Sequence, residues 1–174
     1  MQLEALSKFV EPITQNLPSK FKDTFFLRTF GLLKVPMIFW LSPTVLEATD
    51  ERCVVKIPLN RRTKNHLNSM YFGALCVGAD CAGGLIPMRF VHQKKARVSL
   101  IFKDFKAEFL KRAEGDVLFT CEQGQEITEF TQKVMDSGER MHMPVRVTAT
   151  VPSKHGTEPV AQFTLNLSMK RKSS

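Results

Sequence analysis

Metal-ligand spacing is missing from this sequence. Cys53, Cys76, Cys81 and Cys121 form no CxxC or CxxH unit, and His66, His92, His142 and His155 stand apart with no HExxH. Such scatter fits neither a zinc site nor a disulfide framework, so the thiols read as reduced cysteines of a cytoplasmic protein. Apolar runs such as VPMIFWL (35–41) fall far short of the roughly 20 residues that cross a bilayer, and no transmembrane segment is expected. The first residues lack a basic stretch, apolar core and small-residue cleavage site, so no signal peptide is expected. Internal repeats and low-complexity segments are missing too. Acidic residues are the charge in short supply: 25 Lys and Arg against 17 Asp and Glu leave +8. A surface of that sign attracts nucleic acid, anionic lipid headgroups or a phosphorylated small molecule. Without a helix-turn-helix, a zinc finger or an aromatic-studded strand, nucleic acid is not the expected partner. The basic clusters RRTK (61–64), KKAR (94–97) and KRK (170–172) read as solvated faces unless a ligand lies beside them.

What is present is the material of one domain: 174 residues, 43% of them hydrophobic and 24% charged. Ser19 offers a cap before KFKDTFFLRTFGLLK (20–34), where Phe21, Phe25, Phe26, Leu27, Phe30 and Leu33 recur at helical spacing. That greasy face either packs on the domain or lies on a membrane surface. Pro36 is expected to stop the helix. TVLEAT (44–49) and CVVKIPL (53–59) predict a hairpin through TDER. Residues 69–86 carry small and apolar residues with no proline before Pro87, and form the one long apolar helix expected. Ala74, Gly78 and Ala82 recur every fourth residue there, a stripe that lets strands approach the helix backbone. Glycine inside a helix costs about 1 kcal/mol relative to alanine, so it needs a packing or functional reason.

Beyond this helix the period changes to two. Val98, Leu100 and Phe102, then Phe105, Ala107 and Phe109, alternate with polar residues around a slip near Asp104 that predicts a bulge. EGD (114–116) turns into VLFTCEQ (117–123). A short helix over 125–136 and two strands, 143–151 and 159–170, complete the chain, joined by KHGTE with Gly156 at the turn. The last residues, MKRKSS (169–174), read as a frayed tail.

The stretch NHLNSMYFGALCVGAD (65–80) carries the one unexplained carboxylate, at Asp80 inside the apolar helix. It resembles the hotdog-fold acyl-CoA thioesterases, the phenylacetate-pathway type in particular. That family has an Asn, a Gly three residues on, His-Gly-Gly at the helix start and an Asp near its middle. Here Asn65 matches the Asn, Asn68 stands for the Gly, Tyr71 for the His, Phe72 and Gly73 for the two glycines, and Asp80 for the Asp. LIFKDFKAEFLKRAEGDVL (100–118) and the closing PVAQFTL are similar to the family's later strands, so the likeness spans roughly 45–170. Tyr71 and Phe72 depart from the pattern, which is similar to subsets of the superfamily whose function is uncharacterised. Asn68 departs mildly, because Asn tolerates a left-handed backbone.

The resemblance implies an α+β hotdog domain over 44–170. A long central helix would be wrapped by five or six mostly antiparallel strands, with a helical extension over 1–43 and a tail at 171–174. It also implies thioester hydrolysis. Asp80 would be base or nucleophile, the amides of Phe72 and Gly73 at the helix N-terminus would be oxyanion donors, and Tyr71 and Asn68 would line the substrate. Asn65 either orients the reacting groups or bonds its own loop, and His66 stands close enough in sequence to shuttle a proton. Arg61, Arg62 and Lys64 are candidates for coenzyme A phosphates. No metal or bound cofactor is implied, with the coenzyme A thioester itself as substrate. Gly73 and Asp80 are seven residues apart, hence on one face but roughly 10 Å apart along the axis. Either an extended substrate bridges them or a second chain supplies one of them; the resemblance implies the second arrangement, so a homodimer, or a tetramer, is expected. The alternative is a hotdog module that binds acyl groups or coenzyme A without turning them over.

Overall fold

The computed structural model describes residues 19–172. The first 18 residues of the expected extension, the last two of the tail and the side chains of Ser19 and Lys20 lie outside them. The chain begins with helices α1 (Ser19–Lys34) and α2 (Pro36–Leu41). Pro36 ends one helix as expected and also starts the next, since a proline at the first helical position lacks only an amide that would have no partner. Phe26, Leu27, Ile38 and Leu41 face inward. Thr24 and Arg28 tie α1 to the backbone of the following strand: Val45 N–H donates to Thr24 Oγ1 at 2.9 Å and Arg28 Nε donates to Pro43 O at 2.8 Å.

Six strands follow: β1 (Thr44–Ala48), β2 (Cys53–Ile57), β3 (Val98–Phe109), β4 (Val117–Cys121), β5 (Met141–Thr150) and β6 (Pro159–Arg171). They form one sheet in the order β1-β2-β4-β5-β6-β3, with every neighbouring pair antiparallel. Alternation decides which face is buried: Val55, Ile57, Val117, Phe119, Val145, Val147, Phe163 and Leu165 all point to the core. The pairing of β3 with β6 slips between Phe102 and Phe105, at the bulge expected near Asp104. β6 runs to Arg171 with Met169 fully buried, so the expected frayed tail is strand until that point. A one-turn helix, α5 (Pro152–His155), links β5 to β6 ahead of Gly156, whose φ is 58°.

Helix α3 (Phe72–Gln93) lies in the cup of the sheet against β2, β4, β5 and β6, and α4 (Gly124–Ser137) packs beside it. This is the hotdog arrangement. α3 passes straight through Pro87 and ends seven residues beyond the expected limit of 86. A proline removes the bond to the carbonyl four residues back and crowds it. That carbonyl belongs to Gly83, and Gly83–Gly84 carry no side chains to obstruct an adjustment. By length and composition α3 is also apolar enough to cross a membrane, unlike the short runs read from the sequence, but most of it is buried inside the domain. Gly78 explains the close approach of the sheet: a Cβ there would lie 2.3 Å from the Phe119 ring. Arg89, near the C-terminal end of α3, pairs with Asp23 of α1 at 3.3 Å and donates to the carbonyl of Ala48, fastening the N-terminal helices to the core.

Candidate active site

The approach to α3 is held by backbone bonds from two directions. Tyr71 N–H donates to Thr63 O at 2.7 Å, and Met70 N–H donates to Ala113 O at 2.8 Å. The turn containing Ala113 and Asp116 therefore has a mechanical reason to carry its sequence. Ala113 anchors the loop before the helix, and Asp116 accepts from Leu59 N–H at 2.9 Å. Asn68 takes φ 58°, the left-handed conformation for which Asn is the best residue after glycine.

Asn65 bonds its own loop. Its Oδ1 accepts from the amides of Leu67 at 2.9 Å and Ser69 at 3.2 Å, an Asx-type turn that holds the loop in shape. No hydrogen bond joins Asn65 to Asp80 among the described residues. Of its side chain, only the amide nitrogen remains to face a ligand.

The N-terminus of α3 has no side-chain cap, and the first intrahelical bond is donated by Leu75 to Tyr71 O at 3.1 Å. The amides of Phe72, Gly73 and Ala74 are thus the orphan donors every helix start presents, at the positive end of its dipole. The Tyr71 ring lies beside the first turn: a Cβ on Gly73 would lie 2.6 Å from its Cε1. Tyr71 and Phe72 are both about half exposed, and their rings meet at a tilt with centres 4.7 Å apart. Phe72 then meets Phe109 edge-on at 6.5 Å, Phe109 meets Phe163 at 6.1 Å, and Phe163 meets Phe119 at 6.3 Å. An aromatic path leads from the helix end into the core beside Gly78. The alternating pattern placed Phe109 with Phe105 on one face of its strand, but spacing alone held no sign that these rings meet.

Asp80 lies near the middle of α3, largely buried. Desolvation lifts its carboxyl to a pKa of about 6 from the ordinary 3.8. Among the described residues no hydrogen bond or ion pair reaches it. A buried carboxylate without a partner raises the free energy of the fold and is the kind of group found where chemistry is done.

The basic residues before the site divide. Arg62 stacks on the Trp40 ring at 4.7 Å, Lys64 donates to Asn68 Oδ1 at 3.1 Å, and Arg61 is exposed. His66 is exposed on the same loop. All four cysteines are free; Cys53 and Cys121 face each other across β2 and β4 as buried thiols, and burial pushes Cys53 up to about 12. Such thiols are inert. Among the described residues no group of three His, Cys, Asp or Glu side chains is placed to hold a metal ion. A cavity of about 260 Å³ lined by Glu51, Glu122, Gln123, Gln125 and Glu126 contains none of the site residues, and its acidic walls would repel phosphates.

Residues 24–168 match the family described as Domain of unknown function (DUF4442). No curated protein matches the sequence significantly. The fold is shared with solved structures. A provisionally assigned thioesterase of Shewanella oneidensis superposes with a TM-score of 0.72 at 14% identity, covering 87% of this chain and 99% of its own. A protein of unknown function from Chlorobaculum tepidum reaches 0.75 at 11% identity, covering 88% and 97%. Zebrafish thioesterase superfamily member 2 reaches 0.57 at 14% identity, covering 88% and 98%. At such identities the likeness is one of fold, the hotdog arrangement.

Proposed function

The chain belongs to the DUF4442 family, and from that premise we propose that it hydrolyses an acyl thioester, with Asp80 as general base. The observation that carries this reading is the unpartnered, largely buried carboxyl of Asp80 with its raised pKa on the central helix of a thioesterase-like fold. Ionised at neutral pH, Asp80 takes a proton from water as the water oxygen attacks the thioester carbon. The tetrahedral oxyanion is met by the orphan amides at the N-terminus of α3, and the thiolate leaves with the proton Asp80 has taken up. The alternative route is direct attack by the same carboxylate, which expels the thiolate and forms an anhydride that water then cleaves.

Gly73 and Asp80 are too far apart along one helix to meet one carbonyl, so the site requires two copies of α3, each giving the amides to one reaction and the carboxylate to the other. Support comes from β3, an edge strand of the sheet. Phe105 and Phe109 both touch the buried Phe163 from the helix side of β3, yet they are 41% and 50% exposed. A second copy would cover them. Arg61 and Lys64 lie on the loop before the site as contacts for coenzyme A phosphates.

A second reading has its own support. The Tyr71 ring lies against Gly73 at the start of the helix, as expected of a module that binds thioesters without cleaving them. Turnover of a panel of short, long and aryl acyl-CoAs separates the two. Hydrolysis of at least one by the wild type, lost in Asp80→Asn, supports the hydrolase. No turnover, with CoA esters still raising Tm, supports the binding module.

A further inference from the structure

α1 and α2 are apolar on two sides. Their inner side is accounted for by Phe26, Leu27, Ile38 and Leu41 in the core. The outer side carries Leu32, Leu33, Val35, Met37, Phe39 and Trp40, all exposed, with Met37 at 62% and Trp40 at 58%. A surface helix with a single apolar stripe needs no further partner; one that is greasy on both sides does. Cations border this face. The only acid in Ser19–Leu41, Asp23, is turned inward onto Arg89, while Lys34, Arg61 and Lys64 are exposed and Arg62 lies over the Trp40 ring.

We propose that the outer face of the α1–α2 hairpin docks onto an anionic lipid surface. An indole and a phenyl beside methionine and leucine are the side chains that settle at the boundary of headgroups and acyl chains. The cations at its rim complement anionic headgroups. The charge argument favours lipid over a second copy of this chain, whose corresponding face would carry the same cations. Docking would also orient the candidate site. The loop with Arg61, Arg62 and Lys64 is bonded to the approach of α3 through Thr63 O and Tyr71 N–H, so the helix N-terminus would sit next to the bilayer. The inference does not rest on the hydrolase reading.

Trp40 is the sole tryptophan of the chain, so intrinsic fluorescence reads this face directly. The full chain is titrated with phosphatidylcholine vesicles, with and without about one quarter phosphatidylglycerol, at low and high salt. Emission moves to shorter wavelength with anionic vesicles only, and high salt reverses part of the shift. Leu33→Glu with Met37→Glu, at exposed positions that leave the fold intact by circular dichroism, lowers vesicle partitioning about tenfold or more. Arg61→Glu lowers co-sedimentation about fivefold or more. Asp80→Asn binds vesicles like the wild type, which separates this inference from the reaction. The proposal is overturned by no shift with either vesicle, or by equal binding to neutral ones. It is also overturned by a shift that grows with protein concentration without lipid, or one seen only after removal of residues 1–18.

Discussion

A carboxyl group that burial has pushed to a pKa of about 6 opposes folding once it ionises. The unfolded group titrates near 3.8, so the folded state favours its protonated form; that advantage is complete below 3.8 and is lost as the pH rises through about 6. Asp80→Asn should therefore stabilise the protein at pH 8 by about 1–3 kcal/mol and change little near pH 4, as denaturant melts at the two pH values will show. A residue that weakens the fold and is nonetheless placed in its central helix invites a functional explanation. Asn68 gives the opposite kind of evidence. At φ 58°, glycine should replace it within a few tenths of a kcal/mol, whereas Asn68→Val should cost about 1–2 kcal/mol in the same melts. The role of Asn68 as the left-handed residue was legible from the sequence. That of Asn65 was not, because one oxygen serves a loop or a ligand equally well until its distances are known.

Elements were read from periodicity with fair success, and the errors have physical causes. The hairpin of β1 and β2, the bulge in β3 and helix α4 stand where alternation and helical spacing put them. α3 overran its expected end because Gly83 and Gly84 precede Pro87 by a turn, and a proline rule applied in isolation misses such a pair. The short helix α2 was hidden inside a run read only for its hydrophobicity. Gly78 could be named as a packing glycine but not matched to Phe119, since a contact across 41 residues leaves no local trace. Gly78→Ala should push a methyl group into that ring and cost about 1–3 kcal/mol, measured as a lower Tm. Asp23→Ala should strand Arg89 under α1 and cost about 2 kcal/mol or more, with the N-terminal helices losing protection first in hydrogen exchange.

At the scale of the whole molecule, the pattern yielded a small-residue helix followed by mostly antiparallel strands, and the hotdog fold itself came from the resemblance carried by residues 65–80 and 100–118. The site was recoverable only in outline. Asp80 was conspicuous as a carboxylate in apolar surroundings, while the Tyr71 ring against Gly73 and the aromatic path to Phe119 depend on tertiary contacts. The account requires two chains per site. Sedimentation at micromolar concentration should therefore give a dimer or a larger even assembly, and Phe109→Glu, at the uncovered edge of β3, should give a monomer without turnover. A wild-type monomer that hydrolyses thioesters would contradict the shared site. The central claim, that Asp80 is the base, is tested most directly by the pH dependence of kcat/KM between pH 4.5 and 8 on the acyl-CoA turned over fastest. It should rise through an apparent pKa near 6 to a plateau at which Asp80→Asn is slower by about a hundredfold or more. A flat profile, or an Asp80→Asn protein as active as the wild type on that plateau, would contradict it.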